Sequence, residues 1–169
     1  CLLGMSCLLF MDTDRADRAK QAKELQSIFE SIMDEGTSLF HAERATLFML
    51  DNEKKELWSR VATGTEGIIK VSSHAGIVGA CVDSGELINI PDAYEDSRFN
   101  KEVDAKTGFH TRSVLVIPMK DDDGEIIGAI RMCNKKNCDG TAAVFTANDE
   151  NLVHMLASHV TSFIRIVYD

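Results

Sequence analysis

No two cysteines of this chain form a Cys-x-x-Cys pair, which removes the usual ligand pattern of a structural zinc site. The five present (Cys1, Cys7, Cys81, Cys133 and Cys138) are odd in number and irregularly spaced, and in 169 residues they read as reduced thiols of a cytoplasmic protein. Basic charge is also scarce: 18 Lys and Arg stand against 27 Asp and Glu, a net charge of −9. Phosphate backbones need basic patches, so nucleic acid is excluded as a partner. A small anionic ligand is not, because salt screens global charge beyond about 8 Å and a single helix N-terminus or Arg then decides binding. The apolar run Leu2 to Met11 is broken by Gly4 and Ser6 and falls well short of the roughly 20 residues that span a bilayer. It also lacks the basic start of a signal peptide. His41, His74, His110, His154 and His159 show no i, i+4 pairing with a nearby acid, so no metal site is expected. The chain opens on Cys rather than Met and is read as a fragment of a longer protein.

What is present is a change of hydrophobic period along the chain. From Asp14 to Leu39, Leu25, Ile28, Phe29, Ile32 and Met33 recur at helical steps, with Asp12 to Asp14 as cap candidates and Gly36 as a weak point. Ala45 to Asp51 and Glu56 to Thr63 read as a hairpin, and Ile68 to Ser72 as a third strand. Gly76 to Val82 is a short helix closed by Ser84-Gly85, and Leu87 to Ile90 a short strand stopped by Pro91. Lys101 to Lys106 has room for one or two helical turns. Ser113 to Met119 and Ile126 to Cys133 pair across the acidic turn Asp121 to Gly124. A last helix spans Asn148 to Val167, with Leu152, Leu156, His159, Val160, Phe163 and Val167 on one stripe. This order predicts an α+β domain: a central antiparallel sheet with long terminal helices on one face and short helices and loops on the other.

The region Asn134 to Glu150 joins a strand end to a helix start. Thr146 and Asp149 have capping-box spacing, Phe145 stands where a hydrophobic staple belongs, and Lys135 is within reach of Asp149 or Glu150. The spaced set Asn134-Lys135, Phe145, Asp149-Glu150 resembles the signature of cyclic-nucleotide-binding GAF domains, the regulatory modules of phosphodiesterases and some adenylyl cyclases. A longer match strengthens it: Asn89 to Tyr94, Arg98-Phe99-Asn100, Val103-Asp104 and Thr107-Gly108-Phe109 resemble the segment that covers the nucleotide in phosphodiesterase GAF domains. The resemblance covers roughly Ala42 to Tyr168 and implies a GAF fold in residues 42–169, with residues 1–41 as an N-terminal linker or dimerisation helix.

The same resemblance implies a ligand site. Asp104, Thr107 and Thr111, with Phe99 and Asn100, fall where relatives contact ribose, phosphate or base. Ile77 and Val78 would offer main-chain amides to the phosphate at the start of a helix carrying about half a positive charge. Thr46 matches a base contact on the first strand. Ala62 and Thr63 match a pair that is aromatic then Asp in relatives that bind cyclic GMP. A carboxylate accepts from guanine N1–H and the 2-amino group, whereas a Thr hydroxyl accepts from the adenine 6-amino group, so cyclic AMP is the expected ligand. Arg131 stands where relatives place Glu or Gln facing the base; it is able to donate to adenine N1, N3 or N7, or to pair with Asp104. No metal or further cofactor is implied. The terminal helices are expected to form a homodimer, with a catalytic domain elsewhere in the parent chain and no membrane insertion.

Two other readings stay open. One is a dimerisation module without ligand, held by the apolar stripes of the terminal helices. The other is a free methionine-sulfoxide reductase of the same fold working through Cys81, Cys133 and Cys138. Phosphodiesterase catalytic motifs, which bind paired metals through His and Asp, are absent from this sequence.

Overall fold

A computed structural model describes residues 2–64 and 67–168, with side chains given for residues 17–64 and 67–167. Helix α1 (Leu2–Leu39) is followed by strands β1 (Ala42–Asp51), β2 (Glu56–Ala62) and β3 (Lys70–Ser72). Then come helix α2 (Gly76–Ser84), strand β4 (Ile88–Ile90), a 3-10 turn (Ala93–Glu95) and helix α3 (Lys101–Thr107). Strands β5 (Val114–Lys120) and β6 (Ile126–Lys135) and helix α4 (Ala147–Tyr168) complete the chain. All neighbouring strands are antiparallel, in the order β3-β2-β1-β6-β5-β4. Among the described residues, no helix is long and apolar enough to cross a membrane.

Strand alternation divides the core in two. Ala45, Leu47, Leu115, Ile117, Ile130 and Met132 face Phe29 and Met33 of α1 and Val153, Ala157, Val160 and Ile164 of α4. Phe48, Val114, Val116, Ala129 and Cys133 face the other way, against Ile77, Val78, Cys81 and Val82 of α2. The expected α+β layering is therefore what the chain adopts.

The start of α1, the buried stripe of α4 and the length of the third strand differ from expectation. Helix α1 runs through Asp12 to Asp14 instead of starting there, because no proline interrupts the preceding apolar run. Gly36 lies within α1, and a Cβ added there would meet Leu156 and Met132 at 3.5 Å, an ordinary contact, so the space does not demand glycine. His159 points to solvent, and Val153, Ala157 and Ile164 take the buried stripe of α4. The third strand is shorter than expected, beginning at Lys70.

Gly128 marks the tightest point of the sheet. A Cβ placed there would lie 2.1 Å from the Phe48 carbonyl oxygen and 2.7 Å from Met119 Cε. Only glycine lets β1 and β6 approach so closely, beside a β1–β2 register shift between Leu47 and Phe48.

Candidate ligand site

The face of the sheet away from the terminal helices carries a polar row. Residues of β1 alternate, so Arg44, Thr46 and Phe48 share this face, and Thr46 stands directly opposite Arg131 on β6 and Ala62 on β2. Thr46 is buried, and its hydroxyl lies 3.4 Å from Arg131 Nη2. The Arg131 guanidinium also sits over the Phe48 ring, 5.4 Å from its centroid. Its Nε is buried with no hydrogen-bond partner among the described residues. A buried N–H without a partner normally costs free energy, and Arg60 Nε and Arg112 Nε are in the same state.

Residues 91–110 cover this face. Asp92 caps the 3-10 turn by accepting from Tyr94 N at 3.0 Å, and Asn100 caps α3 by accepting from Glu102 N at 3.0 Å. Gly108 then ends α3 in the left-handed conformation. Asp104 is the knot of this lid. Its buried carboxylate accepts from Thr111 N at 2.6 Å, Thr111 Oγ1 at 2.8 Å and the Tyr94 hydroxyl at 3.1 Å. Burial and the Asp104 carboxylate both raise the pKa of Tyr94. Phe99 packs beside Tyr94, and Phe109 lies under the Arg44 guanidinium at 3.8 Å; both rings rest on the lid-side core. At the rim, the hydrogen bond from Arg98 to Asp96 holds that carboxyl down to about 2.

Helix α2 opens from the other side. Ile77 and Val78 are buried, and Ala75 at the N-cap offers no side-chain acceptor. The main-chain N–H groups of the first turn are thus not satisfied by a side-chain cap. Gly79 lets α2 press onto the preceding loop, since a Cβ there would meet the His74 carbonyl carbon at 2.8 Å.

The candidates are therefore grouped unevenly. Thr46, Ala62 and Arg131 meet on the sheet, Asp104 and Thr111 meet in the lid, and Ile77 and Val78 start α2. Thr107 is exposed and donates to the Val103 carbonyl. Thr63 spends its hydroxyl on Ala45, accepting from its N–H at 2.8 Å and donating to its carbonyl at 3.3 Å. Sequence reasoning missed Arg44 and Tyr94 as parts of the site. The two-residue alternation through Thr46 was the available signal for Arg44; nothing local announced that Tyr94 would bond Asp104.

The five motif residues brace the site from behind. Lys135 Nζ donates to Asp149 Oδ1 at 2.8 Å and to the Phe40 carbonyl at 3.0 Å. Asp149 and Thr146 complete the capping box: the Asp149 carboxylate accepts from Thr146 N and Oγ1, and Thr146 Oγ1 accepts from Asp149 N. Burial pushes the Asp149 pKa up, and Lys135 with Thr146 more than offsets it, leaving a lowered value. Phe145 is buried in the helix-side core. Asn134, at φ 60°, accepts from Arg112 N at 2.6 Å and donates to the His110 carbonyl and to Glu43. Glu150 accepts from Asn89 Nδ2 at 2.7 Å.

The thiols are placed differently. Cys81 is buried, donates to the Glu86 carbonyl and is pushed up to about 12 by burial. Burial also raises Cys133, while Cys138 is exposed. Among the described residues, no group of three or more His, Cys, Asp or Glu is placed to hold a metal ion.

The GAF domain family model matches residues 24–164, and the chain belongs to that family. It is 38% identical over 126 residues to a dual 3',5'-cyclic-AMP and -GMP phosphodiesterase 11A of Takifugu rubripes, a match covering 68% of this chain and 14% of that protein. It is also 35% identical over 146 residues to a probable 3',5'-cyclic phosphodiesterase of Caenorhabditis elegans, covering 79% of this chain and 19% of that protein. The chain thus spans less than a fifth of these relatives. Among solved structures, the GAF domain of a phosphoenolpyruvate-protein phosphotransferase from Coxiella burnetii superposes with a TM-score of 0.73 at 18% identity, over 86% of this chain and 89% of that one. That likeness bears on the fold alone.

Proposed function

We propose that this GAF domain is a regulatory cyclic-nucleotide-binding module of a 3',5'-cyclic-nucleotide phosphodiesterase, with cyclic AMP as its preferred ligand. The observation that supports it most is the unspent Arg131 Nε, buried beside Thr46 on the face that the lid covers. The base would lie against Thr46, Ala62 and Arg131, and the phosphate at the Ile77 and Val78 amides. Lid residues Phe99, Asn100, Asp104, Thr107 and Thr111 would close over both. The hydroxyl of Thr63 is engaged with Ala45, so the preference for adenine rests on the missing carboxylate more than on a new contact: guanine's N1–H and 2-amino donors would lose an acceptor, at roughly 1–3 kcal/mol. At about 22 heavy atoms, cyclic AMP would bind with about 7–11 kcal/mol, roughly micromolar to nanomolar.

The module is regulatory, without catalysis of its own, and works in the cytoplasm within a longer chain that supplies the catalytic domain. It pairs with a second copy through α1 and α4, whose Ile28, Met155 and Ile166 are exposed apolar residues. Ligand closure would shift the pose of these helices only by its differential affinity for the two poses.

Titration calorimetry with cyclic AMP and cyclic GMP tests this directly: heat with cyclic AMP at micromolar concentration is expected, and weaker binding of cyclic GMP. No heat with either at millimolar concentration leaves the dimerisation reading. Thr63→Asp is expected to move the preference toward cyclic GMP by about tenfold; an unchanged ratio would refute the assignment of the selectivity position.

Thiol chemistry is the rival. Protonated, buried Cys81 and Cys133 are poor nucleophiles, since the thiolate is the reactive form. In the native protein at neutral pH, Cys138 is expected to react with a thiol reagent long before Cys81 or Cys133. Methionine-sulfoxide reduction that disappears in Cys133→Ser would overturn the binding reading.

A further inference from the structure

The two ends of the lid are tied to the start of α4 and to the first residues of β1 that follow α1, through side chains outside the proposed ligand site. At its entry, Asn89 on β4 sends its one NH2 group to two acceptors around the start of α4: the Phe145 carbonyl at 3.1 Å and Glu150 Oε1 at 2.7 Å. At its exit, Arg112 follows Thr111 and meets Glu43 at 3.3 Å. Glu43, just past the end of α1, also accepts from Asn134 Nδ2 at 2.7 Å and faces Lys136 at 3.0 Å. The two ends of the lid are joined to each other by Ala93 N donating to the Arg112 carbonyl at 2.7 Å.

Each connection also holds an unspent group. Asn89 Oδ1 and Arg112 Nε are buried, and neither has a hydrogen-bond partner among the described residues. A buried polar atom without a partner is paired in some other arrangement of the same parts or remains a standing cost. Two such atoms stand at these connections, one at each end of the lid.

We propose that Asn89 and Glu43 are positioning residues that carry the state of the lid to α4 and α1, respectively. This deepens the nucleotide-binding reading by giving it a route of regulation, and rests on that reading only for the identity of the ligand. The route is two parallel ties, not one: Asn89 to Glu150 moves the start of α4, and Arg112 with Asn134 to Glu43 moves the end of α1. A merely structural brace would hold the helices equally well whatever the lid does.

Amide hydrogen exchange on the whole chain, without nucleotide, separates these cases. Tyr94→Phe removes one hydrogen bond to Asp104 and loosens the lid. It is expected to raise exchange several-fold at Asp149 and Glu150 of α4, and at Phe40 and His41 past α1, whose amides bond Thr146, Gly36 and Ser38. In an Asn89→Ala background the effect of Tyr94→Phe at Asp149 and Glu150 is expected to vanish while that at Phe40 and His41 persists; in Glu43→Ala the pattern is expected to reverse. Glu150→Ala cuts the α4 tie from its exposed side and serves if Asn89→Ala does not fold. Helix amides that ignore Tyr94→Phe, or that respond to it equally in every background, overturn the proposal. Repeating the comparison with cyclic AMP isolates the other failure: ties that respond to Tyr94→Phe but not to nucleotide leave the route intact and refute the ligand.

Discussion

Gly128→Ala is expected to melt at least about 10 °C below the parent chain, or to fail to fold at all. The added methyl would sit 2.1 Å from the Phe48 carbonyl oxygen, a main-chain atom of the neighbouring strand that cannot rotate away. Met119 Cε, at 2.7 Å, is the free end of a flexible side chain and is able to give. Relief therefore requires β1 and β6 to part, where Met49 pairs with Gly128 and Met119 flanks it on β5. Overpacking of this kind costs about 1–3 kcal/mol when side chains absorb it, and more than 4 when the backbone must. At roughly 2–4 °C per kcal/mol for a chain of this size, the melting point reports the difference clearly. A loss of under 2 °C would mean that the sheet spreads there at little cost.

Asp149→Ala ranks second. Lys135 and Asp149 are both largely buried, with side-chain exposures of 14% and 7%. Removing the carboxylate leaves Lys135 the Phe40 carbonyl as hydrogen-bond acceptor and removes the half of the capping box that accepts from Thr146 N and Oγ1, while Thr146 Oγ1 still accepts from the main-chain N–H of residue 149. Breaking one side of a buried pair costs about 3–5 kcal/mol, to which the lost half of the capping box adds under about 1. Urea denaturation should show a midpoint shift with an unchanged slope; a loss below about 1 kcal/mol would reduce the pair to decoration. Acid should reproduce part of the effect. Because the Asp149 pKa is lowered from an ordinary 3.8, its contribution is fully present above that value and is lost as pH falls through the lower native one. Glu43 acts in the same direction: burial opposes the shift, and Asn134, Lys136 and Arg112 more than offset it. The acid limb of stability should flatten in Asp149→Ala.

Much of this architecture was legible because it is local. The strand-forming run from Ala45 to Asp51, the acidic turn before Ile126 and the capping box at Thr146 each specify their own stretch of chain. What was not legible is non-local. The Lys135 bond to the Phe40 carbonyl spans 95 residues, and the Asn134 bond to Glu43 spans 91. No spacing rule announces such pairings. Thr63 shows the same limit in the site: its residue type suited adenine, yet its register beside Ala45 turned the hydroxyl to the backbone. His159 failed for a simpler reason, since a helix stripe drawn by steps of three and four tolerates a polar residue at its margin, and solvent claimed it.

Both outermost strands, β3 and β4, are only three residues long. Strands so brief present few open main-chain groups to a stranger, and Lys70 adds a charge to one border. Edges this short offer copies of the domain little template for edge-to-edge fibril growth.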